Sequence, residues 1–151
     1  MQFVEVTELN IADAGRIHSE SWKESHRSFC SVEFVERHTP AAQTEYLRRE
    51  MVNGKRVYML IDEVPVGIVS VHESLIENLY VLPSEQRKGY GSQLLRYAIE
   101  RCAETPVLWV LNCNEGAYRL YKKNCFKETG ERKLHREALF EIEMRLCGSA
   151  D

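Results

Sequence analysis

Two glycines one residue apart, Gly89 and Gly91, follow a pair of cations, Arg87 and Lys88, in the run PSEQRKGYGSQLL from Pro83 to Leu95. Residues of these types at this spacing suit anion binding. Glycine removes side chains that would keep a phosphate from the backbone. The first N–H groups of a helix have no intrahelical acceptor and lie at the positive end of its dipole. The N–H groups of residues 87 to 92 are the expected donors, with a hydroxyl from Ser92 and charge from Arg87 or Lys88 at the rim. Gln86 and Tyr90 complete the loop. Two well-known phosphate loops do not fit: GxxxxGK[ST] is absent, and Leu94 stands where GxGxxG needs its third glycine. A plain tight turn would use the same two glycines.

Other reactive side chains are scattered. Cys30, Cys102, Cys113, Cys125 and Cys147 form no CxxC and no paired spacing, which argues against a disulfide framework or a zinc site. Each reads as a small buried hydrophobe, none stands in a nucleophile-and-base arrangement, and no metal is expected. A net charge of −3 and a pI near 6.0 leave no basic footprint for nucleic acid. The short basic pairs Lys122-Lys123 and Arg132-Lys133 read as solvated faces. The start MQFVEVTELN lacks the basic head of a signal peptide, and no apolar run is long enough to span a bilayer, so no membrane partner and a cytoplasmic location are expected.

The elements that would position the loop follow from periodicity. Phe3, Val4 and Val6 suggest a strand, and Asn10 or Asp13 can cap a helix bearing Ile11, Ala14, Ile17 and Trp22. Thr39-Pro40 opens a second helix with Tyr46, Leu47 and Met51, ended by Asn53-Gly54. Strands are expected over 56–61, 66–71 and 75–82, with short turns that imply an antiparallel meander. After the loop, Leu94, Leu95, Ala98, Ile99 and Cys102 share a helical face that Thr105-Pro106 stops. PVLWVLN reads as a central strand covered on both faces. A helix over 115–123 and strands over 131–134 and 138–146 close the chain. With 151 residues and no repeat or linker, one domain over 1–151 is expected, an α/β (α+β) fold with a mixed sheet and helices.

Gln86-x-x-Gly89-x-Gly91, set between a strand and an amphipathic helix, resembles the acetyl-CoA loop of the GNAT superfamily of N-acetyltransferases. A second run, NEGAYRLYKKNCF over 114–126, resembles that family's later N-x-x-A-x-x-x-Tyr segment, and the spacing between the two also matches. The likeness covers nearly the whole chain. It implies a mostly antiparallel sheet of six to seven strands, splayed in the middle and flanked by about four helices. Two departures stand out. Cys125 replaces the usual glycine before Phe126, leaving Asn124 to take the left-handed conformation that ends the helix. Apolar residues around Trp109 replace an acid that some relatives carry.

The resemblance also implies roles. A slot opened by the splay would take the pantetheine arm of acetyl-CoA along Leu79, Tyr80 and Val81, with the N–H of Val81 polarising the acetyl carbonyl. Asn114 would cap its helix and, with Ala117, border the arm. Tyr121 stands at the family's tyrosine and is the candidate acid toward the departing sulfur; a core tyrosine would occupy the same stripe. Glu77, on the strand leading to the splay, is the first candidate for the base, ahead of His72, Glu73 and His26. The run WKESHRSF from Trp22 suits either a helix-end surface or a wall of an amine pocket. The implied activity is acetyl transfer from acetyl-CoA to a primary amine, a small metabolite or a peptide, by direct attack. A non-catalytic acyl-CoA-binding or regulatory module is the rival, and a homodimer is left open.

Overall fold

The computed structural model describes residues 1–148, so the last three positions of the expected 1–151 domain lie outside the described residues. The order is β1 (Gln2–Glu5), α1 (Ile11–His26), α2 (Val32–Glu36), α3 (Pro40–Val52), β2 (Arg56–Asp62), β3 (Val64–His72), β4 (Leu75–Val81), a single 3-10 turn (Pro83–Glu85), α4 (Tyr90–Ile99), β5 (Val107–Leu111), α5 (Glu115–Lys123), β6 (Phe126–Arg136) and β7 (Leu139–Leu146). The strands form one sheet in the order β1-β2-β3-β4-β5-β7-β6, antiparallel throughout except where β4 meets β5. None of the described helices is long and apolar enough to cross a membrane.

Alternation along β2 shows how the strands build two cores. Val57 and Met59 face a cluster with Ile11, Ala14, Ile17 and Leu47 of α1 and α3. Tyr58 and Leu60 face the opposite cluster with Leu94, Leu95 and Ala98 of α4. Successive strand side chains point to opposite faces, so each helical layer takes every second residue. Burying one such side chain contributes about 1.5–3 kcal/mol.

Local chemistry explains the boundaries. Thr39 caps α3 by accepting from the Ala42 N–H at 3.1 Å, with Pro40 in the first turn. Asn10 does not cap α1; its Oδ1 accepts from the Thr7 N–H instead. The short helix α2 has no counterpart in the sequence reading, because five residues carry too little periodicity to detect. It brings the described helices to five. Strand β6 begins at Phe126, not 131, since only Phe126 of its residues is buried and the remaining exposed run has no inward pattern. Helix α4 ends at Ile99, well before Thr105-Pro106.

Candidate active site

The site lies where the sheet splits. Strands β4 and β5 pair only at Leu75/Val107 and Ile76/Leu108 and then separate. Strand β5 is interior to the sheet, but only Leu108 and Val110 are buried; Val107, Trp109 and Leu111 are half-buried. The expected cover on both faces is therefore corrected: one face of β5 borders the opening.

Strand β4 carries a bulge at the split. Ser70 pairs with Glu77 and Ile68 with Tyr80, so Asn78 and Leu79 together oppose Val69. Asn78 has φ 51, a left-handed conformation that asparagine tolerates better than most residues. Its amide is held from three sides. Nδ2 donates to Ser70 Oγ at 3.2 Å, Oδ1 accepts from the Tyr46 hydroxyl at 3.4 Å, and His18 Nε2 lies 3.4 Å from the same oxygen. The other ring nitrogen of His18 is 2.9 Å from Gln43 Nε2. An amide N–H on Nδ1 leaves the proton on Nε2, where it donates to Asn78. Burial disfavours the imidazolium and lowers the His18 pKa to about 4.

Two cavities flank the split. One, of about 670 Å³, runs from the loop residues Gln86, Arg87, Gly89, Gly91 and Ser92 to Gly116 and Leu120 of α5. The other, of about 630 Å³, lies among Trp22, His26 and Phe29, Trp109, and the β6/β7 hairpin. Ser25, Leu79, Tyr80, Asn114, Ala117 and Tyr121 border both. The structure thus brings the sequence candidates of the strand, the loop and α5 to one continuous opening.

The loop is shaped by two different demands. Gly89 starts α4 with φ 89, a region costly for residues with a Cβ. Gly91 lies in the helix, where a Cβ would come 3.2 Å from Leu120 Cδ2, so its smallness sets the approach of α4 to α5. Arg87, also left-handed at φ 66, borders the loop-side cavity. Lys88 turns to Glu85 at 2.9 Å. Gln86 Nε2 donates to the Val81 carbonyl at 3.1 Å and ties the loop to the strand. Tyr90 sends its hydroxyl to Asp62 at 2.5 Å, and that hydrogen bond pushes its pKa up to about 12.

Asn114 caps α5 by accepting from the Ala117 N–H at 3.2 Å. One turn later Tyr121 is buried, its ring centroid 6.2 Å from that of Phe126. Burial pushes the phenol pKa up to about 12, so the group keeps its proton at neutral pH. Glu77 borders the second cavity, and its Oε1 meets Lys55 Nζ as an ion contact rather than an aligned hydrogen bond. Lys55 also pairs with Glu50. His72 and Glu73 lie at the β3/β4 turn and border neither cavity.

Several sequence expectations need correction. Asn124 is not left-handed, with φ −97; Cys125 is, at φ 72, in the position where glycine was expected. The α5 C-terminus demands that conformation of the residue after Asn124, whatever its side chain. The cysteines are not buried: Cys113 and Cys125 are exposed and the other three intermediate, because they stand at turns and element ends. Lys133 is no plain solvated residue, since its ammonium sits 4.2 Å from the centre of the Trp109 ring.

The wall of the second cavity was the least legible part. Trp22 stacks between His26 (3.9 Å) and His38 (3.4 Å), and Phe29 packs near His26. Trp22 and His26, four apart on one face of α1, with Phe29 in the turn just beyond, were the available signal. The resemblance implies that the region after α1 and the last hairpin share a wall, but local pattern did not show which residues of β5 and the hairpin face it.

Residues 17–125 match the family model described as the acetyltransferase (GNAT) family. No curated protein sequence matches the chain. Among solved structures, the PaiA N-acetyltransferase from Thermoplasma acidophilum in complex with coenzyme A superposes with a TM-score of 0.70 at 18% identity, over 95% of this chain and 98% of that one. Apo YjaB from Escherichia coli gives 0.72 at 20% identity, over 98% of both chains. A putative acetyltransferase, yncA from Salmonella typhimurium with acetyl-CoA, gives 0.69 at 18% identity, over 97% of this chain and 92% of that one. At these identities the superpositions speak to the fold, a mixed sheet split beside a glycine loop; with the family match over most of its length, the chain belongs to the GNAT acetyltransferases.

Proposed function

We propose that the protein transfers an acetyl group from acetyl-CoA to a primary amine by direct attack. The observation that carries this reading is the position of Tyr121, buried and protonated, on the border shared by the two cavities. The loop-side cavity fits the cosubstrate. Its rim offers first-turn N–H groups beside Gly89, Tyr90, Gly91 and Ser92, with Arg87 for the phosphates and Leu79, Tyr80, Val81, Asn114 and Ala117 along the arm. Coenzyme A and acetyl-CoA occupy two structures of this fold.

In the reaction the amine nitrogen attacks the thioester carbon, the C–S bond breaks, and the amine gives up a proton. The Val81 N–H serves the carbonyl oxygen as charge develops. Tyr121 gives its proton to the departing sulfur, and Glu77, with Lys55 as its counter-ion, accepts the proton of the amine. A primary ammonium ordinarily titrates at about 10.4, so a proton acceptor is needed at neutral pH. Arg136 donates to the Phe29 carbonyl at 2.6 Å across the acceptor-side cavity, which favours small amines over long peptides. Five unpaired cysteines accord with a reducing, cytoplasmic setting.

The test is release of free thiol from acetyl-CoA against a panel of primary amines, with the acetylated product confirmed by mass. Amine-dependent release is the expected result. Tight acetyl-CoA binding without release by any amine would favour a binding module instead.

A further inference from the structure

The β6/β7 hairpin contains an irregularity that bears on the acceptor. Lys133 pairs with Glu141, Leu134 with Phe140, and Arg136 with Leu139, so His135 is an extra residue on β6. In a regular strand, alternation would place Lys133 and Arg136 on opposite faces. The extra residue shifts the alternation, so that Lys133, His135 and Arg136 all border the acceptor-side cavity while Leu134 points outward, 76% exposed.

The charges on this wall do not cancel locally. Of the two carboxylates that border the cavity, Glu77 pairs with Lys55, while Glu141, opposite Lys133 in the hairpin register, lies 2.9 Å from His135 Nε2, so the hairpin wall sets two cations against one carboxylate. Among the described residues, neither Lys133 nor Arg136 has a carboxylate partner. Lys133 rests on the Trp109 ring at 4.2 Å, and Arg136 spends one N–H on the Phe29 carbonyl. A guanidinium has five N–H donors in a planar fork that matches an oxyanion, so most of its capacity remains available. These two cations stand on the hairpin, whereas Tyr121 lies on the border with the loop-side cavity.

We infer that the acceptor is an amine whose far end carries an oxyanion, a carboxylate or a phosphate ester, held by Arg136 and Lys133. The inference rests on the acetyl-transfer reading for the amine end only. The same charges disfavour a polyamine, because its second ammonium would meet two cations against the single carboxylate of Glu141. The side chains of Trp22, Phe29 and Trp109 line the space between the two ends.

The test compares ω-amino acids of graded chain length, each against its own amide, with aminoalkyl phosphates and spermidine as further probes. Both kcat/KM with acetyl-CoA and calorimetric affinity for the CoA-bound protein are measured. Hydrogen bonds to charged groups lead to an expected preference of about tenfold to a hundredfold for the acid, or the phosphate, over the neutral amide. Arg136→Gln should bring that ratio near one, and Arg136→Lys should restore part of it. Should Arg136→Gln fail to fold, Lys133→Met, which keeps an apolar stem on Trp109, should still reduce the ratio. Acid and amide used equally, or spermidine preferred, would overturn the oxyanion assignment while leaving acetyl transfer standing. Preferential binding of the acid, lost in Arg136→Gln, without turnover of any amine would uphold the assignment and remove the transfer reading. Absence of binding by every probe would overturn it.

Discussion

The two cavities that meet at Tyr121 are built by opposite means. The loop side depends on backbone: a left-handed Gly89, a close approach at Gly91, and the open first turn of α4, all within a few consecutive residues. The other side depends on side chains from the end of α1 and the turn after it, from β5, and from a hairpin distant in sequence, as the Arg136 to Phe29 contact over 107 positions shows. Backbone sites constrain local sequence tightly, since few residues adopt the required dihedrals. Side-chain walls constrain it loosely, because many combinations can line the same space.

The largest expected effect lies at the border. Tyr121→Phe keeps the ring against Phe126 but removes the proton donor, so turnover should fall by up to about 10²-fold while acetyl-CoA affinity stays close to normal. The measurement is kcat together with thermal melting. Unchanged turnover would make Tyr121 a core residue and leave the two cavities without a chemical link.

Gly89→Val tests the backbone side. A Cβ at Gly89 meets no heavy atom within 4 Å, so the harm comes from φ 89 rather than from collision. Left-handed backbone costs about 1–2 kcal/mol for an L-residue, and more when β-branched. The loop should relax to another shape and CoA affinity should fall about tenfold or more by calorimetry, with the fold intact. Affinity for an amine in the other cavity should not change. Equal losses on both sides would show that the two are not independent.

Acid tests the support behind β4. The His18 pKa is about 4 in the fold against an ordinary value of 6.5, so between these values the unfolded chain binds a proton that the folded one does not. Stability therefore declines as pH falls from about 6.5 to 4, by roughly 3 kcal/mol at most. Chemical denaturation across that range checks it, and His18→Gln should flatten the curve. The smallest effect is expected at Cys125→Gly, which relieves φ 72 at the α5 terminus and should raise stability by up to about 1 kcal/mol, less the extra freedom glycine gives the unfolded chain.

The same contrast explains what the sequence made legible. The meander, the glycine loop, α5 and its Asn114 cap were readable because period, turn residues and capping chemistry act over a few positions. Helix α2 was too short to carry a period. The left-handed residue after α5 was assigned to Asn124 on propensity, but the helix terminus fixed the position and Cys125 took it. Lys133 looked like surface charge, and a one-residue bulge, invisible in local pattern, brings Arg136 to the same side.

The split between β4 and β5 has a further consequence for handling the protein. Beyond Ile76 and Leu108 the two strands do not pair with each other, so the sheet carries two internal edges in addition to its outer ones. Unpaired edges are templates for pairing with other chains. A ligand whose arm runs between them occupies that template, and at a hundredfold excess over its dissociation constant it also stabilises the fold by about 2.7 kcal/mol. The empty protein should therefore be the form that aggregates on storage or mild heating, with amide exchange at 77–81 and 109–111 slowing when CoA is added.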